Sequence, residues 1–136
     1  MDLSKTKLDD KAEREGIWID YDEETAFLVA RWMNPDHKAF IQRAVKPYIR
    51  KHRRGDIPQD VSERIEAQAM AECILLGWKG LKNAGQDIPF SKGEALKLLS
   101  DPAQSWLYSW VQEEAMDMAS YQVEALAEGV ENVGES

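Results

Sequence analysis

The chain has 136 residues, of which 43% are hydrophobic and 31% charged, and a formal net charge of −8. That length suits one compact domain with a real core, and the composition is too apolar for wholesale disorder. No run approaches the ~18 consecutive apolar residues of a membrane-spanning helix, and the acidic balance argues against broad nucleic-acid binding.

Residues 1–15 are polar and mixed in charge; they are expected to form a loose arm and carry no apolar stretch of the kind a secretory signal needs. Ile17, Ile19 and Tyr21 then alternate with Trp18 and Asp20, the period-two pattern of a strand. After Asp22-Glu23-Glu24-Thr25, the run from Ala26 to Trp32 predicts a second strand. Residues 16–32 are therefore read as a β-hairpin with a four-residue loop. An isolated hairpin is marginal in water, so its apolar face must pack on something larger.

Asn34-Pro35 has the form of an N-cap followed by proline at the first helical position. Phe40, Ile41, Ala44, Val45 and Tyr48 recur at helical spacing, with Arg43, Lys46, Arg50 and Arg54 roughly opposite. Pro47 inside this pattern predicts a kink or a restart, and Gly55 a stop. Asp60-Val61-Ser62-Glu63 has the spacing of a capping box with aspartate as the cap. The helix it opens is expected to run to about Lys82. Between Ala69 and Trp78 it is apolar nearly all round, which marks it as the central core helix. Residues 82–87 read as a loop, and Ile88-Pro89-Phe90 as extended chain. Ser91 and Glu94 form a second capping box, with Phe90 placed to staple onto Ala95 and a short helix continuing to Leu99. Asp101-Pro102 opens a last helix expected to reach about Ala127, with Trp106, Leu107, Trp110, Val111, Ala115 and Met118 on one stripe. The expected architecture is mainly α, a compact bundle of about four helices with a short N-terminal β-hairpin. It forms a single domain over 1–136: polar arm 1–15, hairpin 16–32, helical body 33–128 and acidic tail 129–136.

The residues that carry chemistry make no recognisable constellation. Cys73 falls in the apolar centre of a helix, where a thiol keeps its proton. His37, in a first helical turn, and His52, in a basic run, have no partner at a known spacing and read as surface residues. One cysteine and two unrelated histidines do not supply a zinc site. Asp20, Asp22 and Glu24 alternate, but without the glycine and distal glutamate of a calcium loop. The glycines match neither a P-loop nor a dinucleotide fingerprint. Glu113, Glu114 and Asp117 share one side of a helix and read as a solvated acidic face rather than a catalytic pair. The expectation is a protein without enzymatic activity, metal or cofactor, and a lone cysteine fits a reducing cytoplasm.

Two surfaces point instead to protein contacts. Of the five tryptophans, Trp106 and Trp110 lie four apart on a helix with Met118 and Tyr121 further along. These four either fill the core or form a surface that receives an amphipathic helix. Arg43, Lys46, Arg50, Arg53 and Arg54 form a basic cluster suited to an acidic protein surface, including the acidic C-terminal half of a neighbouring copy. The same cluster could hold phosphates.

Leu76-Gly77-Trp78-Lys79-Gly80-Leu81 is followed by the polar loop at Gly85, by Ile88-Pro89-Phe90-Ser91, by a Leu-rich helix and by Asp101-Pro102. This order resembles the tail assembly chaperones of lambdoid long-tailed bacteriophages. Gly16-Ile17-Trp18-Ile19, the hairpin through Arg31, Asn34 and Lys46-Pro47 are similar to the N-terminal part of that family. Asn83-Ala84-Gly85 departs from it, where the family carries more acidic residues. The resemblance spans roughly residues 13–125. It implies binding to the long helical tape measure protein while tail tube protein assembles around it, in the host bacterial cytoplasm, and absence from the mature virion. The alternatives are a structural tail or head-tail connector component, and a small DNA-binding regulatory protein using Arg43 to Arg54.

Overall fold

A computed structural model describes residues 14–52 and 57–119, the side chains of 50–52 excepted. Strands β1 (Ile17–Asp20) and β2 (Ala26–Val29) form the expected antiparallel hairpin, with Ile17 opposite Val29 and Ile19 opposite Phe27. Its loop is tied by the Asp22 carboxylate, whose Oδ1 accepts from the backbone N–H groups of Glu24 and Thr25 at 2.9 and 2.8 Å. Those two bonds hold the Asp22 carboxyl below its ordinary pKa. The acidic alternation at 20–24 thus includes a turn cap.

Helix α1 (Pro35–His52) starts at the cap read from Asn34-Pro35. Asn34 Oδ1 accepts from the backbone N–H groups of Asp36 and His37, both at 3.0 Å. The helix continues through Pro47 without the expected restart. Helix α2 (Gln59–Cys73) begins one residue before the expected aspartate cap. Its N-cap is Pro58, without a side-chain bond, and Asp60 lies in the first turn, where a carboxylate favours the helix dipole.

The main departure from the expected fold follows α2. The core helix does not continue to Lys82; it ends at Cys73, and Leu75–Lys79 is strand β3. A continuing helix would need the carbonyls of Cys73 and Ile74 for the N–H groups of Gly77 and Trp78. Both carbonyls are engaged elsewhere: Asn34 Nδ2 donates to Cys73 O at 3.0 Å, and Ala30 N–H donates to Ile74 O at 2.9 Å. β3 pairs antiparallel with β2, giving a three-stranded sheet in the order β1-β2-β3 with a bulge near Val29 and Leu75. Apolar run alone cannot distinguish a buried helix from a buried strand. Here the hairpin needs a third strand, and the segment after Ile74 supplies it.

The segment read as a loop at 82–87 contains a two-stranded ribbon, β4 (Lys82–Asn83) and β5 (Gln86–Asp87). Ala84 and Gly85 both have positive φ, which suits a two-residue hairpin turn. Residues 88–90, expected to be extended around Pro89, carry no regular secondary structure, and Ile88 N–H donates to Leu81 O at 2.9 Å. Helix α3 (Lys92–Ser100) starts at Ser91, whose Oγ accepts from the Glu94 N–H at 3.0 Å. Phe90 meets Trp78 edge-on, with ring centroids 4.8 Å apart. Asp101 Oδ1 caps a 3-10 turn (Pro102–Gln104), which leads into a helix, α4, over residues 105–119. The expected continuation to about 127, the polar arm at 1–13 and the tail from 129 lie outside the described residues.

The protein is mainly α, with a short sheet on the helices. One apolar cluster joins the sheet to three of the helices: Phe27 and Val29 of β2, Met70 and Ala71 of α2, Leu75 and Trp78 of β3, Ala95 and Leu99 of α3, and Leu107, Val111 and Ala115 of α4. The last three recur every four residues, the spacing of a buried helical stripe.

Candidate partner-binding surface

The sheet sets up this surface. Residues directly opposite on paired strands share a face. Ile17 and Ile19 therefore lie on the same side as Val29 and Phe27, which are fully buried. β1 is the outer strand, however, and no further strand among the described residues pairs with its outer edge. Ile17 consequently remains 46% exposed, and so does Tyr21 just beyond the strand.

Helix α4 brings tryptophans to this edge. Trp110 lies 5.2 Å from Phe27 and 5.4 Å from Tyr21, centroid to centroid, and is half-buried against the core. Trp106, one turn earlier, lies 5.3 Å from Tyr21 and is 41% exposed. These spacings fall in the range where aromatic rings attract beyond simple burial. Trp106 is also fixed at its polar end, because its Nε1–H donates to Gln104 Oε1 at 2.7 Å. The result is an ordered aromatic step at the molecular edge, with Tyr21 and Trp106 as its exposed treads. Met116, further along α4, is likewise exposed.

The sequence-derived set is thus divided. Trp106 is an exposed ring, Trp110 and Met118 are half-buried and packed against the core, and Tyr121 lies outside the described residues. Tyr21 and Ile17 were missed as surface residues, because a period-two pattern assigns them to a buried face without saying which strand lies at the edge. In the electrostatic set, Arg43 and Lys46 are exposed on α1, Arg50 lies in α1 with its side chain undescribed, and Arg53 and Arg54 lie outside the described residues. Arg43 also sits 5.8 Å from the centroid of the Phe40 ring.

The remaining candidates for chemistry are placed as follows. His37 is not a surface residue: it is 1% exposed, beneath the Trp32 ring, and its Nδ1 accepts from the Met33 N–H at 3.0 Å. Burial lowers its pKa and favours the neutral ring. The sequence reading failed because Asn34 draws the first turn of α1 into the core, which helical periodicity does not register. Cys73 is partly buried at the end of α2, and burial, then the charges of Asp36 and Glu72, raise its pKa. Its thiol therefore keeps its proton. Glu113 and Asp117 are exposed on α4, while burial and then those two neighbours raise the pKa of Glu114. Among the described residues no three His, Cys, Asp or Glu side chains are grouped to hold a metal ion, and no helix is long and apolar enough to cross a membrane.

No curated protein and no solved structure matches this chain. The family model described as YdaY prophage protein matches residues 32–132, from the end of the hairpin through α4 and beyond. That span is most of the chain, so the protein belongs to the YdaY prophage protein family and is phage-derived.

Proposed function

We propose that this prophage protein is a non-enzymatic tail assembly chaperone, which holds an apolar helical segment of the tape measure protein until tail tube protein assembles around it. The observation that carries the reading is the exposed aromatic step of Tyr21 and Trp106 beside the unpaired edge of β1. Large rings held partly exposed in fixed positions are the usual anchors of a protein interface. An amphipathic helix laid along α4 would cover them with its apolar face. Prophage origin and the resemblance of residues 76–102 to tail assembly chaperones support the same reading. The protein acts, on this view, in the host bacterial cytoplasm and is absent from the finished particle.

Co-expression with tape measure fragments, followed by titration of the best fragment, tests the proposal. Trp106→Ala is expected to weaken binding by about tenfold or more while the helical circular dichroism stays unchanged. Trp110→Ala is the contrasting variant: its ring rests on Phe27, so it is expected to lower stability as well. Undiminished binding by folded Trp106→Ala would remove the surface from consideration. Recovery of the protein in purified virions would favour a structural tail component.

A further inference from the structure

Charge is distributed very unevenly over this fold. Seven of the 17 Lys and Arg residues lie between Asp36 and Asp56, a stretch with no Asp or Glu. The rest of the chain therefore carries ten cations against 25 carboxylates. Within the basic stretch, Arg43 and Lys46 are exposed on one side of α1, and the exposed Lys38 and Ile49 flank them, three residues before Ile41 and four after Val45. Ile41 and Val45 line a cavity shared with α2 and α4, so the side carrying Arg43 and Lys46 faces away from α2.

A cleft of complementary character lies along α2, next to that cavity and sharing Glu66 and Tyr108 with it. It has a volume of about 590 Å³ and is bounded by α2, the end of α3 and the first turns of α4. Asp60, Glu63, Glu66 and Asp101 stand at its rim, and Ala67, Leu99 and Tyr108 supply apolar lining. Asp60, Glu63 and Glu66 are exposed, and no ion pair between described residues involves any of the four carboxylates. The cation in this wall, Arg64, donates to the Tyr48 hydroxyl of α1 at 3.0 Å. The cleft is thus a shallow apolar trough with an acidic rim.

We propose that this cleft receives the basic outer face of α1 from a second copy of the chain. The match is one of opposite charge around a small apolar contact, which directs encounter and fixes orientation. Arg43 and Lys46 lie on the side of α1 turned away from α2, whose residues 60–67 form the cleft wall, so they do not face the cleft of their own chain. The contact is therefore head-to-tail: each copy offers one helix and one cleft, and repeated contacts close into a ring or extend as a filament. Several linked copies would engage a long client at several places at once.

Light scattering coupled to size exclusion, run at increasing sodium chloride, tests the contact. The wild-type chain is expected to associate at low salt and to lose at least roughly tenfold in association constant as the screening length falls from about 10 Å at 0.1 M to about 3 Å at 1 M. Glu63→Lys with Glu66→Lys makes the cleft basic, and Arg43→Glu with Lys46→Glu makes the helix acidic. Each double variant alone is expected to be monomeric, with circular dichroism unchanged because all four positions are exposed. Mixing the two variants restores complementary faces and is expected to restore association. A wild-type monomer at low salt would overturn the proposal, as would variants that associate like wild type or folded variants that stay apart when mixed. Binding of a DNA duplex by the wild-type monomer, lost in Arg43→Glu with Lys46→Glu, would assign the basic face to phosphate instead.

Discussion

His37 shows how far a single residue can depart from its neighbours in sequence. It follows charged Asp36 and precedes Lys38, yet it is buried because the Asn34 cap turns it inward. Its Nδ1 must stay unprotonated to accept from Met33 N–H, and desolvation works in the same direction. In the unfolded chain the ring titrates near 6.5. Above that value neither state binds the proton and the fold carries no penalty; below it the unfolded chain gains a proton that the folded chain resists. Stability is therefore expected to fall as pH drops below about 6.5, and to stop falling once the lowered folded pKa is passed. Glu66 and Tyr108 line the same cavity as this ring. Thermal midpoints recorded from about pH 7.5 to 5 check the point. His37→Gln is expected to have a flatter profile than wild type over that window, and parallel profiles would show that another group governs it. A residue-level reading of the sequence had the helix start right and its burial wrong.

Asn34 matters at the scale of elements, since it begins one helix and helps end another. Its Oδ1 caps α1, while its Nδ2 donates to the carbonyls of Arg31 and Cys73 at 2.9 and 3.0 Å. A simple cap contributes about 1 kcal/mol; the Arg31 carbonyl keeps the Asn34 backbone N–H, but leaving the Cys73 carbonyl without its partner costs about 1–3 kcal/mol. Asn34→Ala is therefore expected to lose about 3 kcal/mol in chemical denaturation. Asn34→Asp separates the two roles: it keeps the cap but sets a buried carboxylate against two carbonyl oxygens. A loss at least as large as in the alanine variant is expected near pH 7, and a near-neutral aspartate variant would reduce Asn34 to a cap alone. Local signals were well preserved in the sequence wherever a side chain bonds a nearby backbone group, as at Asn34, Ser91 and Asp101. The α2–β3 junction was not legible, because the groups that claim the Cys73 and Ile74 carbonyls come from about 40 residues upstream. Gly80 illustrates the same limit: its φ of +77° and the close approach of the Glu24 carbonyl become meaningful only once the hairpin loop is placed beside it.

At the scale of the whole molecule, the question is whether the hairpin is an addition to the family body or part of it. The family match begins at residue 32, so β1 and β2 precede it. Yet β2 is the central strand of the sheet, and its Phe27 and Val29 are fully buried in the cluster that also holds α2, α3 and α4. Removing β2 would expose the pairing edge of β3 and open the core at two large side chains, each worth about 1.5–3 kcal/mol of burial. It would also free the Ile74 carbonyl that ends α2 and leave Trp110 without the Phe27 ring. Such losses are a large share of the 5–15 kcal/mol that typically separates folded from unfolded chains. A chain beginning at residue 32 is therefore expected to show reduced helical circular dichroism, a broad thermal transition and rapid proteolysis, where the full chain melts cooperatively. A cooperative, protease-resistant 32–136 fragment would mean that helices alone sustain the body, and that the sheet serves only to carry Ile17 and Tyr21 to the edge beside α4.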